Sequence, residues 1–293
     1  MARRDDLVVG GSGFLGAHVV AALVRRGGRV VSASRRPAAP PGATAPHEVL
    51  ELDGSRPGAG CADLAAGRFG RVLLVAALSR VGDAARDPGL AMRLNRDWPA
   101  ELAGAAIRGG ARVVHVSTDL VFGGEPAPAG GFREEHAPAP LEPYGASKAA
   151  GEEAVRAACP GALVVRLPLL TGDSFGRGLG AGDSLAAALA RGEAPTLFTD
   201  EWRTPLDAAE GARLLVDLAD RGPTGLLHLG GPERLSRAAL GARLLPGADL
   251  GHGTRADLGL AEVRAGDASL DSGRLVALCR AAGLTPPRAV AQA

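Results

Sequence analysis

Apolar positions along this chain come in short runs separated by longer stretches of helical period. Leu7-Val8-Val9 is a brief apolar run that ends in Gly10-Gly11-Ser12-Gly13-Phe14-Leu15-Gly16, and an amphipathic stretch over 17–26 follows, closed by Gly27-Gly28. That order reads as strand, glycine turn, helix and helix stop. Further strands are predicted over 29–34, 47–52, 71–77, 112–116 and 162–167, with a Pro/Ala loop over 37–46 between the second and third. Helical patterns lie between them: a short one over 63–67, a long one over 88–109, and one from Pro143 to residue 158 that Pro160 ends. Strands alternating with helices in this way predict a doubly wound parallel sheet. Residues 123–140 read as a long Gly/Pro-rich loop, a length that fits a substrate flap.

Beyond Pro168 the pattern changes. A Gly-rich irregular segment covers 171–182, helices are predicted over 184–191, 207–218, 236–245 and 270–282, and short strands over 196–198 and 225–229. Ser236 is placed to cap its helix. The expectation is an α/β protein: a Rossmann-type doubly wound parallel sheet over 1–168, joined by segments returning from 200–230, and a smaller C-terminal α+β substrate-binding region over 169–293.

Composition narrows the class. The chain has 293 residues, 46% of them hydrophobic, which is enough for a substantial core. Its net charge is +1 with acids and bases interspersed, so neither a nucleic-acid surface nor a polybasic membrane surface is expected. No apolar run is long enough to span a bilayer, and the first residues run into a strand without a signal peptide. Cys61, Cys159 and Cys279 are odd in number and far apart; they read as reduced thiols of a cytoplasmic protein, and no His/Cys/Glu cluster has metal-ligand spacing.

The composition also isolates two residues. The chain has one tyrosine, Tyr144, and one lysine, Lys148; the other 32 of its 33 basic residues are arginine. Four positions apart on a helix, the two side chains share a face. A phenol can pass a proton to or from an alkoxide, and a nearby ammonium favours its ionised form. Arginine supplies charge, but its rigid fork does not replace a compact ammonium bonding a ribose diol.

Other candidates follow from position. Gly10, Gly13 and Gly16 are spaced to let a dinucleotide pyrophosphate approach the helix N-terminus, with Ser12, Phe14 and Leu15 in the same turn. The second strand ends in Ser34-Arg35-Arg36 with no acid, which favours a 2′-phosphate and hence NADP(H) over NAD(H); two solvated arginines are the competing reading. Asp53 after the third strand either accepts from an adenine amino group or caps a turn. Ala76 and Ala77 pass beneath the cofactor, with Ser79 next on the substrate side and Leu167 at the end of the sixth strand. Ser117 and Thr118 end the fifth strand where ligands bind in such sheets, and either could bond a substrate carbonyl, with Asp119 beside them. His115 and Trp98 read as core. Trp202 and Arg203 could stack a base and grip a diphosphate, or form an ordinary packing cluster.

Together, Gly10-x-x-Gly13-x-x-Gly16, Ser117-Thr118-Asp119 and Tyr144-x-x-x-Lys148 resemble the extended short-chain dehydrogenase/reductase superfamily over nearly the whole chain. Ser117-Thr118-Asp119-Leu120-Val121-Phe122, Glu134, Pro140, the run from Asp200 to Pro205 with Asp207 after it, and Leu270-Asp271-Ser272-x-Arg274-Leu275 are similar to the dTDP-4-dehydrorhamnose reductase branch. The resemblance implies Tyr144 as general acid, Lys148 on the nicotinamide ribose, and Thr118 or Ser117 polarising the keto group of a nucleotide-linked deoxysugar. It also implies dimerisation through the helices over 88–109 and 144–158. Leu120 and Gly123 stand where the family often has Tyr and Asp, and Phe14-Leu15-Gly16 is the form common in epimerases. An epimerase of the same superfamily, or a dinucleotide-binding regulatory subunit without turnover, therefore stays as the alternative. A dehydratase is disfavoured, because no Asp-Glu pair follows Thr118.

Overall fold

Seven strands lie side by side in the computed structural model, which describes residues 4–36, 48–260 and 263–291. In chain order they are β1 (Asp5–Val9), β2 (Val30–Ser34), β3 (Glu48–Glu51), β4 (Phe69–Leu74), β5 (Arg112–Thr118), β6 (Leu163–Leu167) and a seventh, Gly225–His228. Every pairing is parallel, and the spatial order is seventh, β6, β5, β4, β1, β2, β3. The order reverses between β1 and β4, so a crevice opens at their C-terminal ends. The predicted loop over 37–46 and His47 lie outside the described residues.

Both faces of the sheet are covered except at the edge strand β3, so its inner strands read as continuous apolar runs. Alternate residues part to opposite sides. Leu7, Val9, Val31, Val72, Leu74 and Val113 pack against Trp98, Leu102, Ala105 and Val155. Val8, Leu73, Val114, Val165 and Leu227 pack against Val19, Val20, Leu23, Leu214, Leu215 and Leu218 from the helices α1 (Phe14–Arg25) and Ala208–Arg221. Asp207 caps the latter by accepting from the amides of Ala209 and Glu210.

Several boundaries differ from the sequence expectation, each for a local reason. β4 stops at Leu74 because the amides of Val75 and Ala76 both turn onto the carbonyl of Val9. The long helix over 88–109 is three pieces in line: Pro88–Met92, a π-helical turn Arg93–Asp97, and Trp98–Arg108. The last helix starts at Gly273, not Leu270, because Leu270 forms a bridge with Phe132 and its amide donates to Thr204 Oγ1. The loop over 123–140 is accordingly tied down at Phe132, whose ring stacks on Phe122 with centroids 4.1 Å apart.

Over the mouth of the sheet sit three two-stranded pairings. Leu170–Thr171 pairs with Leu206–Asp207, Trp202–Arg203 with Leu235–Ser236, and Thr196–Phe198 with Gly251–Gly253. Helices Ala181–Ala190 and Arg237–Leu244 pack beside them, the second capped by Ser236. Among the described residues no helix is long and apolar enough to cross a membrane.

Candidate active site

A cleft of about 980 Å³ opens at the switch point, walled by the glycine turn, the ends of β4 and β5, and the region beyond Pro168. The turn is built for close approach. Gly10 has φ +95°, and a Cβ there would lie 2.6 Å from the Ala76 amide nitrogen. A Cβ on Gly16 would run into the Gly10 carbonyl, so only glycine lets α1 begin here. Gly13 is the N-cap; no side chain caps α1 and no acid lies in its first turn. Those free amides and the helix dipole suit an anion. Arg177 reaches across from the Gly-rich segment and donates to the Ser12 carbonyl at 2.5 Å.

Tyr144, on the helix Pro143–Ala158, lines the cleft beside Thr118 at the end of β5. Burial pushes its phenol up to about 12; the nearby Thr118 hydroxyl works against this and the Asp119 charge adds to it. Thr118 Oγ1 donates to Asp119 Oδ1 at 3.1 Å and accepts from the Leu120 amide at 3.2 Å. Asp119 is raised to about 6, chiefly by burial, with Arg203 pulling the other way. One turn along the helix, Lys148 is buried and donates to the Val116 carbonyl at 2.6 Å, with His115 Nε2 at 3.5 Å. Burial lowers its ammonium to about 8, opposed by Glu152. His115 is held well below its ordinary value by burial and by Lys148, so it is neutral.

Both hydroxyls ending β5 line the cleft and both already donate to a carboxylate, but not equally: Ser117 Oγ to Glu152 Oε1 at 2.5 Å, and Thr118 Oγ1 to Asp119 Oδ1 at a longer 3.1 Å, beside Tyr144. Asn95 is a residue that sequence reasoning passed over. Fully buried in the π-helical turn, it accepts from the Leu78 amide at 2.9 Å and donates to Ser147 Oγ at 2.9 Å; Ser147 in turn donates to the Tyr144 carbonyl. The segment after β4 is thereby pinned to the helix bearing Tyr144. A poor helix former in the middle of a helical pattern was the available signal.

At the far wall, three guanidiniums converge on one buried carboxylate. Arg264 bonds both oxygens of Glu201, Arg203 lies 3.4 Å from it and Arg237 lies 3.9 Å from it. All four side chains line the cleft. Arg237 and Arg264 come from separate segments, and nothing local in the sequence marks them.

The remaining candidates divide. Ser12, Phe14, Leu15, Ala76, Ala77, Ser79, Asp119 and Leu167 line the cleft with the glycines. Trp202 does not: the Arg234 guanidinium covers its ring at 4.0 Å and pairs with Asp267, so that face is not free to stack a base. Asp53 takes its turn-cap reading, accepting from the Ser55 amide at 3.0 Å and hydroxyl at 2.8 Å. Ser34 Oγ donates to the Arg36 carbonyl. Arg35 and Arg36 are exposed just beyond Ala33, which pairs with Val9, so they stand on the same sheet edge as the glycine turn without joining the cleft wall.

A parallel sheet with a glycine turn at its switch point, and a Thr, Tyr and Lys grouped beside it, defines a Rossmann-type dinucleotide-binding protein of the short-chain dehydrogenase/reductase superfamily. Within it, the chain belongs to the RmlD substrate binding domain family, whose model matches residues 5–256. It is 33% identical over 251 residues to a dTDP-4-dehydrorhamnose reductase of Mycobacterium tuberculosis, covering 81% of this chain and 74% of that protein. It is 34% identical over 179 residues to a probable low-salt glycan biosynthesis reductase of Haloferax volcanii, covering 59% of this chain and 58% of the other. Among solved structures it is similar to a dTDP-4-dehydrorhamnose reductase of Bacillus anthracis in complex with NADP, with a TM-score of 0.79 at 20% identity over 98% of this chain and 96% of that one.

Proposed function

We propose that this protein is an NADP(H)-dependent reductase of a keto group on a nucleotide-linked deoxysugar, such as a dTDP-4-keto-6-deoxysugar. The observation that carries the reading is the grouping of Thr118 with the chain's only tyrosine, Tyr144, and, one helical turn along, its only lysine, Lys148, in a cleft that has the glycine turn at one end and an arginine wall at the other. The names of the relatives support the same class of substrate.

The residues fit a pyridine dinucleotide. The turn at Gly10, Gly13 and Gly16 takes a pyrophosphate on backbone amides. In this reading Arg35, Arg36 and Ser34 take the 2′-phosphate, and Lys148 the nicotinamide ribose. When bound, the reduced cofactor supplies the hydride. Thr118 and Tyr144 donate to the keto oxygen, and Tyr144 gives up its proton as that oxygen becomes an alkoxide. A phenol raised to about 12 is protonated at neutral pH, the form that reduction needs. Arg203, Arg237 and Arg264, with Glu201 as their common anchor, offer guanidinium donors to a diphosphate. Residues 169–293 supply most of this substrate side.

The test is NADPH oxidation, followed by absorbance, over a panel of 4-keto-6-deoxy sugar nucleotides with NADH alongside. Turnover with NADPH is expected, and Tyr144→Phe keeps cofactor binding while losing about 10²–10⁴ in kcat. NADPH binding without turnover on any member of the panel would sink the reductase reading.

A further inference from the structure

One turn beyond Lys148 on the same helix, Glu152 is 4% exposed and faces Arg166 of β6, 2% exposed. Arg166 Nε and Nη2 donate to its two oxygens at 2.9 and 2.7 Å, and Ser117 of β5 donates at 2.5 Å. The guanidinium also contacts His228 Nε2 at 3.3 Å and lies over the Phe122 ring at 4.8 Å. The carboxylate thus has three donors, two of them from a guanidinium that does not lose its charge. Lys148 is placed very differently. Its direct contacts are a neutral imidazole and a backbone carbonyl, and among the described residues it makes no ion pair. An ammonium buried with only neutral partners favours losing its proton. The titratable groups that act on it are His115 from β5 and Glu152 from its own helix, with Arg166 of β6 on the Glu152 carboxylate and Tyr144 one turn earlier on the helix.

We propose that Glu152, clamped by Arg166 and Ser117, is the fixed counter-charge that keeps Lys148 an ammonium and holds the helix bearing Tyr144 in register with β5 and β6. Glu152 is a positioning residue for the reaction proposed above; its catalytic consequence rests on that reading, while the charge relation with Lys148 does not.

The composition makes the test direct, because protein labelled with ¹⁵N at the lysine side chain carries a single such signal. Titrated by NMR, Glu152→Gln should lower the Lys148 midpoint by about one unit, a tenfold fall in the ratio of ammonium to amine. Glu152→Gln with Arg166→Gln should recover part of that shift, since the orphaned guanidinium goes too. The alkaline limb of kcat against pH should move with the midpoint in each variant. An unmoved midpoint in Glu152→Gln, or a double variant shifted further than the single, overturns the proposal. If Glu152→Gln does not fold, Glu152→Asp keeps the charge but draws it back by a methylene. A smaller downward shift is then expected, and no shift overturns the proposal. Midpoints that move as stated in a protein that turns over no sugar nucleotide leave the counter-charge standing and reject the reductase reading instead.

Discussion

Replacing Asp119 by Asn should stabilise this protein at neutral pH. Asp119 is 3% exposed, its Oδ2 has no hydrogen-bond partner among the described residues, and its nearest cation is Arg203 at 3.5 Å. Its carboxyl is raised from the ordinary 3.8 to about 6, chiefly by burial. A group whose folded value lies above its unfolded one contributes its full stability below the unfolded value and loses it as pH rises through the folded one. The gap here is worth about 3 kcal/mol at an order-of-magnitude level. Asn has the same shape and does not titrate, so the variant should match the parent near pH 4. It should gain on the parent between pH 4 and 6.5 and hold a margin of about 2–3 kcal/mol above that. Arg203 keeps Glu201 at 3.4 Å and the Trp202 carbonyl at 2.7 Å, so it is not stranded. The assay is urea unfolding of parent and variant at half-unit steps from pH 4 to 8. A variant less stable than the parent at pH 8, or a difference that does not change with pH, refutes the reasoning. Turnover should fall, because stability gained at a working site commonly costs activity.

Three other expectations follow from the same geometry. Gly16→Ala should abolish dinucleotide binding by titration calorimetry, because its methyl group runs into the Gly10 carbonyl and displaces the start of α1; binding within threefold of the parent would show that the turn does not hold the pyrophosphate. Arg35→Ala with Arg36→Ala should raise KM for NADPH by about tenfold or more and leave NADH unchanged, at about 1.5–3 kcal/mol for each bond to a charged group; an equal loss for both cofactors assigns those arginines no part in the choice. Arg237→Gln should raise KM for the sugar nucleotide with kcat nearly kept, as expected for a diphosphate contact made equally in ground and transition states, and a fall in kcat alone would place the residue elsewhere.

The sheet was legible because its physics is local. The strands inside the sheet are buried on both faces and therefore read as apolar runs, while β3 at the edge is only half-covered, and Gly10 and Gly16 occupy places where a Cβ collides. Tyr144, Lys148 and Thr118 were legible for a different reason, since two of them are single occurrences and the third ends a strand. What escaped depends on convergence between distant segments. Glu201 gathers Arg203, Arg237 and Arg264, and Ser117 finds Glu152 and Arg166, through contacts that no window of sequence contains. Trp202 was offered for stacking on residue type alone; the neighbour that covers it, Arg234, is thirty-two positions away. Leu270 reads as helix by pattern, but its bond to Thr204 and its bridge to Phe132 hold it extended.

The wide turn at Arg93–Asp97 makes chain length itself part of the site. A π-helical turn accommodates one residue more than an α-helix would, at some cost in hydrogen bonding. Shortening this segment by one residue would give a more regular helix and spoil the protein, because the register that carries Asn95 to Leu78 and Ser147 would be lost. Insertions and deletions here are therefore constrained differently from substitutions: Asn95 can be exchanged and leave a helix of the same phase, whereas a single-residue deletion rotates everything before it by about 100° relative to Trp98. The irregularity works as a spacer, and its tolerance is measured in whole residues.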